Sequence, residues 1–426
     1  MTEPFASRMI KVNQARHWAR LMEMAEIGAI PGPTDADRGV NRACLTRLDR
    51  EARRLLIGWA RDIGLSVSVD SMANLFLRLE GQDTEAEPVL TGSHMDTQPR
   101  GGRFDGIWGV LAGLEAVQAI REGSIWPRRP IEIVAWTNEE GGRFAPGCMG
   151  SMAWSGSEPA NRWDAVIDSD GVSFRAALEQ HLAEEADLPR RPLGPVGKAK
   201  PVAYIEAHIE QGPILEAEQL DIGIVTGIQG SRWFNVEIRG KTDHAGTTPL
   251  GLRHDAVQDM IRAINALNTL THDPEDILRF TVGRIEVLPG SSNTVADTAR
   301  FTIDLRHPDA AILLSKGDAI PQTVEAALQD CSASVSETFN AAPRQFQHDV
   351  LDAIARAAQL NEARYRHLMS GAFHDAQFLA SVCPTGMIFA PSRAGISHHP
   401  AEYSSPEQLA RGTQVLASTL LDLASR

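Results

Sequence analysis

The sequence predicts an α/β protein: a larger domain with a mixed sheet, residues 1–222 and 336–426, interrupted by a smaller α+β domain at 223–335. Three observations carry this. The chain has 426 residues, enough for two cores rather than one. Between Pro88 and Thr137 two short β-branched apolar runs enclose a helical pattern, the strand–helix–strand order of an α/β sheet. The middle of the chain then changes to a β-α-β-β-α-β-like set, and a strand-like run near the C-terminus is placed to rejoin the first sheet.

In order along the chain, Thr46 caps the first readable helix, with Asp49 in its first turn. Leu48, Leu55, Leu56, Trp59 and Ile63 recur at helical spacing before Gly64. Alternating runs at Leu65–Val69 and Asn74–Leu79 read as strands, as do the apolar runs Pro88–Thr91 and Ile131–Thr137, with a helix over Val110–Ile120 between them. In the middle set, Ile222–Val225, Phe234–Ile238, Thr281–Val287 and Thr298–Leu305 read as strands; Asp255–Leu270 and Ala310–Leu328 read as helices. After Phe346 a helix is followed by a strand at Thr385–Ala390 and a last helix at Pro406–Ala424.

Composition removes several functions. The 41 basic residues against 55 acidic ones give a net charge of −14, which opposes binding to phosphate backbones. No stretch approaches the roughly 18 apolar residues of a membrane span. The N-terminal segment MTEPFASRMIKVNQARHWAR is charged and lacks an apolar leader core. Cys44, Cys148, Cys331 and Cys383 are far apart with no C-x-x-C pair, as in reduced cytoplasmic proteins. A soluble, acidic, cytoplasmic protein of two domains is the expectation.

Chemistry is expected beyond the carboxyl ends of the strands, where open α/β sheets bind ligands. In TGSHMDT (Thr91–Thr97), His94 leaves a strand end and Asp96 is placed to hold its far imidazole nitrogen, as behind a metal-bound histidine. The competing reading is a surface histidine beside a capping aspartate. In RGGRFDG (Arg100–Gly106), glycines let the backbone turn Asp105 into a cleft, where its carboxylate could bridge two cations or simply cap the following helix. In IEIVAWTNEEGG, Glu139 and Glu140 close a buried strand. Adjacent acids there can divide the work, one ligating a metal and the other taking a proton from water; a solvated acidic turn is the alternative. His208 in YIEAHIEQGP and His398 in GISHHPAE complete three histidines and two carboxylates, a donor set for two cations sharing one aspartate. Imidazole and carboxylate suit Zn2+, Mn2+, Co2+ or Ni2+ and exclude an iron–sulfur or thiolate site.

The motifs GSHMDT, GGRFDG, TNEEGGRF, EAHIEQGP and GISHHPAE, in this order, resemble the M20 metallopeptidase clan. Within it the chain is similar to the amidase branch of N-carbamoyl-L-amino-acid hydrolases, β-ureidopropionases and allantoate amidohydrolases, from about Arg16 to the last helix. The resemblance implies one metal on His94, Asp105 and His208 and a second on Asp105, Glu140 and His398, with Zn2+ favoured. His398 rather than His399 follows the G-x-S-H pattern. It implies Glu139 as general base, with Asp96 and His244 as further catalytic residues, His244 in GKTDHAGTTP being delivered to a partner subunit's active site. Asn293 and Arg306 match substrate-binding positions, joined by Gln211. Phe373, in SGAFHD, stands where the pattern has a small residue and narrows the pocket.

The implied activity is hydrolysis of the ureido C–N bond of an N-carbamoyl-L- or N-carbamoyl-β-amino acid, releasing ammonia and carbon dioxide, by a homodimer paired through the inserted domain. Arg306 would fork onto the substrate carboxylate, and a surface ion pair with Asp304 or Asp309 is its alternative role. Allantoate amidohydrolase is the nearest rival. An aminoacylase or dipeptidase of the clan is opposed by His208 and the HIEQGP run, and a metal-free binding protein by the intact ligand set.

Overall fold

A computed structural model describes residues 10–34, 37–195 and 200–426. The expectation of no leader falls partly on residues 1–9, outside the described residues. The chain divides into two units, Met1–Gly227 with Gln345–Arg426, and Ile228–Arg344.

In the first unit, α1 (Gln14–Glu26) starts at Asn13, whose side chain accepts from the Arg16 amide. The short strands β1 (Ala29–Ile30) and β2 (Gly39–Val40) pair antiparallel. The expected helix is α2 (Arg47–Asp62): Thr46 accepts from the Asp49 amide, and Ala52, Leu56, Ile57 and Ala60 form its buried face. There follow β3 (Ser66–Val69), β4 (Leu75–Leu79), β5 (Val89–His94), α3 (Ile107–Glu122), β6 (Ile131–Trp136), α4 (Met149–Ser155), α5 (Phe174–Glu184), β7 (Ala203–Ile209), α6 (Ile214–Ala217) and β8 (Ile222–Ile228). The second unit contains β9 (Gly230–Arg239), α7 (Ala256–Leu270), β10 (Arg279–Leu288), β11 (Thr298–His307), α8 (Ala310–Ala327) and β12 (Ser332–Ala341). The chain then runs through β13 (Arg344–Gln345), α9 (His348–Leu360), β14 (Tyr365–Ser370), α10 (Ala376–Leu379), β15 (Thr385–Ala390) and α11 (Pro406–Ala424).

The first unit is built on a nine-stranded mixed sheet of order β13-β8-β15-β7-β5-β6-β4-β3, with β14 paired to β8. Its centre, β15, β7, β5 and β6, is parallel, whereas β8, β4 and β3 join antiparallel. Every residue of those four central strands is buried, as expected of parallel strands covered on both faces. Helix α3 is buried nearly all round because α1 and α11 pack on it as well as the sheet. Because the central strands run the same way, their carboxyl ends share one edge, and the register sets His94 beside Trp136 and His208 beside Phe389.

The second unit is an antiparallel sheet of order β10-β11-β9-β12 with α7 and α8 on one face. Strand β11 alternates buried and half-buried residues, and Phe301, Ile303 and Leu305 meet Phe234, Val236, Ala263, Leu267, Leu313 and Ile320 in the core.

The expected limits of the inserted segment, 222/223 and 335/336, both fall inside strands. Ile222–Val225 belongs to β8 and pairs with β15 in the larger sheet, and Val335 lies within β12. Among the described residues no helix is long and apolar enough to cross a membrane.

Candidate metal centre

The carboxyl edge of the parallel strands gathers the motif residues. His94 ends β5, and its Nδ1 lies 2.9 Å from the backbone carbonyl oxygen of Asp96. Asp105 sits in a γ-turn just before α3: the Ile107 amide donates to the Asp105 carbonyl at 2.7 Å across Gly106, whose φ is 66° and ψ −55°. Gly106 is required twice over, since a Cβ there would also lie 2.3 Å from the His94 ring. His208, next to last on β7, sets its Nδ1 2.9 Å from the Ile209 carbonyl and its Nε2 3.1 Å from Asp105 Oδ1. His94 Nε2 is 3.8 Å from the same oxygen.

The other oxygen of Asp105 faces a second group. His398 Nε2 lies 3.5 Å from Asp105 Oδ2 and 3.4 Å from Glu140 Oε2. His398 is half-exposed with φ 51°, whereas His399 turns its Nδ1 back to accept from the Ala401 amide. His94, Asp105 and His208 form one set and Asp105, Glu140 and His398 another, each with its ligand atoms within 4.8 Å of one another. Four ligands at about 2.1 Å around a tetrahedral cation stand about 3.4 Å apart. The donor spacings here match that, so the residues fit divalent cations with Asp105 common to both sets.

Electrostatics agree with that fit. Burial, then the negative charges of Asp375, Glu140, Asp96 and Asp105, push the Glu139 carboxyl well above the usual range. Burial and Asp105 do the same to Glu140. Burial would raise Asp105 too, but its hydrogen bond and ion pair with His208 lead the effects that outweigh it and hold it low. Burial lowers His94 to about 4, leaving the neutral imidazole that can ligate a metal. The cluster is thus rich in buried acid and short of positive charge.

The glutamates leave β6 through a turn in which Asn138 has φ 56° and Gly141 φ 66°, which breaks strand alternation and lets neighbours diverge. Glu139 Oε2 lies 3.4 Å from His94 Nε2, while Glu140 is held by Gln98, whose Nε2 donates to Oε2 at 2.8 Å and whose amide donates to Oε1 at 3.1 Å. Asp96 differs from its expected role. Its carboxylate is 3.8 Å from His94 Nδ1 and instead accepts from the Glu139 and Glu140 amides, both at 3.2 Å, so it shapes the glutamate turn. Gln211, expected at the substrate, donates from Nε2 to Asp105 Oδ2 and to Ser397 Oγ, each at 3.0 Å. Phe373 is half-buried beside His374, whose ring lies 4.3 Å from that of His208.

In the second unit His244 is exposed, and its Nδ1 accepts from the Gly246 and Thr247 amides at 3.0 and 3.2 Å. The Ala245 amide donates to the Asn293 carbonyl at 3.0 Å and His244 bridges Thr294, so the His244 and Asn293 loops are joined. Arg306 donates from Nε and Nη2 to Asp304, the ion pair foreseen as its alternative role, with Nη2 at 2.7 Å. The motifs did not single out Gln98, Ser397, Glu402, Glu206 or Asp375. Glu402, at the end of GISHHPAE, is pushed up to about 8 by burial and by Asp105. Its place in GISHHPAE and Gly102, where a Cβ would meet its carboxyl group, were the sequence signals for it.

Residues 90–422 match the model of peptidase family M20/M25/M40. The N-carbamoyl-L-amino-acid amidohydrolase of Rhizobium meliloti is 39% identical over 420 residues, spanning 97% of this chain and 97% of that protein. The allantoate amidohydrolase of Escherichia coli (strain K12) is 36% identical over 363 residues, covering 85% of this chain and 87% of that one. The crystal structure of an amidase of the hydantoinase/carbamoylase family from Burkholderia vietnamiensis is similar with a TM-score of 0.87 at 40% identity, over 99% of each chain. With a family match over most of its length and near-full-length relatives, the chain belongs to peptidase family M20/M25/M40.

Proposed function

We propose that the chain is a metal-dependent amidohydrolase that cleaves the ureido C–N bond of an N-carbamoyl-L- or N-carbamoyl-β-amino acid. The observation that carries this is Asp105, whose two oxygens face two separate donor sets with Glu139 alongside. Similarity to enzymes named for N-carbamoyl-L-amino acids supports the substrate class, and similarity to one named for allantoate keeps that compound as the rival. Two divalent cations held by these residues, Zn2+ first, would polarise a ureido carbonyl, lower the pKa of water and supply the positive charge that the acidic cluster lacks.

The chain's own groups do the rest. Glu139 takes a proton from the attacking water and returns it to the departing nitrogen. The C–N bond to the terminal nitrogen breaks, ammonia leaves, and the remaining carbamate loses carbon dioxide to free the amino acid. Gln211 keeps Asp105 oriented through Nε2, and its Oε1, which accepts nothing among the described residues, is left for a substrate N–H. Arg306 offers its fork to the substrate carboxylate by exchanging Asp304 for it. His244 donates to the tetrahedral oxyanion.

The register of the second unit supports a homodimer for this chemistry. His244 and Asn293 precede the Thr298 end of β11, and Arg306 is at the other end, about 27 Å of strand away at 3.4 Å per residue. One small substrate cannot span that distance, so His244 and Asn293 would complete the site of a partner that supplies Arg306. The free cysteines, Cys44, Cys148, Cys331 and Cys383, support a reducing, cytoplasmic setting. The test is product release with added Zn2+, Mn2+, Co2+ or Ni2+, read as ammonia from N-carbamoyl-L-amino acids, N-carbamoyl-β-alanine and allantoate and as new amino groups from dipeptides. Turnover of an N-carbamoyl-amino acid above all others is expected. A preference for allantoate selects the rival, and turnover of dipeptides alone overturns the reading.

A further inference from the structure

We propose that Glu402 is a positioning residue that fixes how Asp105 presents its oxygens to the two donor sets. The inference rests on the reading of Asp105 as a shared ligand and assigns the machinery that orients it. Glu402 lies in the loop between β15 and α11 and is fully buried. Its partners are unusual for a buried acid: Oε1 accepts from the Phe104 and Asp105 amides, both at 3.1 Å, and Oε2 lies 3.0 Å from Ser397 Oγ, whose single proton is shared between Glu402 Oε2 and Asp105 Oδ2. No cation is among them. A buried acid held only by neutral groups is costly compared with an apolar side chain of the same volume, so stability alone does not explain its presence.

What those contacts share is Asp105, reached by two routes. One is direct, to the Asp105 amide. The other passes through Ser397, whose Oγ also lies 3.2 Å from Asp105 Oδ2, the oxygen that faces His398. Gln211 Nε2 closes the circuit at 3.0 Å from both Asp105 Oδ2 and Ser397 Oγ. Held at its backbone and at one oxygen, Asp105 cannot rotate Oδ2 away without breaking the Ser397 contact, and Oδ1 is thereby kept toward His208 and His94. The sequence makes room for this device. A Cβ on Gly102 would lie 2.0 Å from Glu402 Oε1 and 2.1 Å from its Cδ, which accounts for the second glycine of GGRFDG.

The experiment uses the full chain loaded with Co2+, read by its visible absorption spectrum, by chelator competition for each equivalent and by its denaturation midpoint. Glu402→Ala should weaken the more loosely held equivalent by about 10–100-fold, the usual cost of losing a ligand's hydrogen-bonded support, and should change the Co2+ spectrum. Glu402→Gln should stay close to wild type in both, because its amide oxygen can accept the two backbone N–H groups and its NH2 can donate to Ser397. A folded Glu402→Ala chain with wild-type affinities and spectrum would overturn the proposal, even with a lowered midpoint. Should Glu402→Ala not fold, Ser397→Ala decides, since it cuts the side-chain route while leaving both amides held. It should weaken the same equivalent, and wild-type affinity overturns the proposal. A wild-type chain that takes up fewer than two equivalents would instead overturn the shared-ligand reading itself, a result visible before any substitution.

Discussion

Substituting Gly106 with alanine should dismantle the His94 donor set while leaving the chain folded. The γ-turn that carries Asp105 puts Gly106 at φ 66° and ψ −55°, a region that residues with a Cβ avoid, and such strain costs of order 1–3 kcal/mol. The added Cβ would stand 2.3 Å from His94 Cε1 and Nε2. An ordinary carbon contact is about 3.5 Å, so the ring must retreat by about 1.2 Å, and overpacking of this kind adds about 1–3 kcal/mol. The combined loss, about 2–6 kcal/mol, is below all but the low end of the roughly 5–15 kcal/mol of a typical fold. Metal–ligand bonds tolerate only about 0.2 Å, so a ring displaced this far no longer ligates. Gly156→Ala is the control: Gly156 also has positive φ, 75°, but a Cβ there meets nothing within 4 Å. The assay is elemental analysis of folded protein together with urea denaturation. Both variants should lose stability, and only Gly106→Ala should lose metal. Full metal content in Gly106→Ala, or equal metal loss in both, would refute the reasoning.

Three further outcomes are expected. Asp105→Ala should retain well below one metal per chain by elemental analysis, with ammonia release near background, because its carboxylate serves both donor sets. Glu139→Gln should keep metal and lose about 10²–10⁴-fold in turnover, the usual worth of a positioned base, whereas Glu140→Gln should lose metal; reversed losses would exchange the two roles. Mixing His244→Ala chains with Glu139→Gln chains should restore activity after subunit exchange if His244 serves a partner, since one site of the heterodimer then carries neither defect. No recovery after exchange is verified by mass would place His244 in its own chain's site.

Elements with strong apolar signals were legible. Thr385–Ala390 and Pro406–Ala424 match β15 and α11 residue for residue, because a fully buried run and a Ser405-capped helix with proline at its start announce their own ends. Strand β5 runs three residues past the expected Thr91, through Gly92, Ser93 and His94. These are not apolar, yet they are buried because Ser93 donates to Glu206 at 2.8 Å and His94 turns into the site. Ile222–Val225 reads in sequence as part of the small domain because nothing local says which sheet a strand joins; its pairing with β15, far along the chain, decides that. At the site, the metal-type residues were readable since each lies in a motif at a strand end. Their support was not. Gln98 lies outside the motifs, Ser397 and Glu402 read within GISHHPAE only as neighbours of His398, and only the fold brings Glu402 to the Asp105 amide across 297 positions. Asp96 shows the same limit: its spacing from His94 suggested a carboxylate behind the ring, while the turn after β6 brought the Glu139 and Glu140 amides to that carboxylate instead.

The most direct test of the account is a metal titration of the chelator-stripped chain with ammonia release from an N-carbamoyl-L-amino acid as the readout. The shared Asp105 ties the two donor sets into one centre, so activity should stay low through the first equivalent and reach its plateau at two per chain. A plateau at one equivalent, or undiminished ammonia release from the stripped chain, would contradict it.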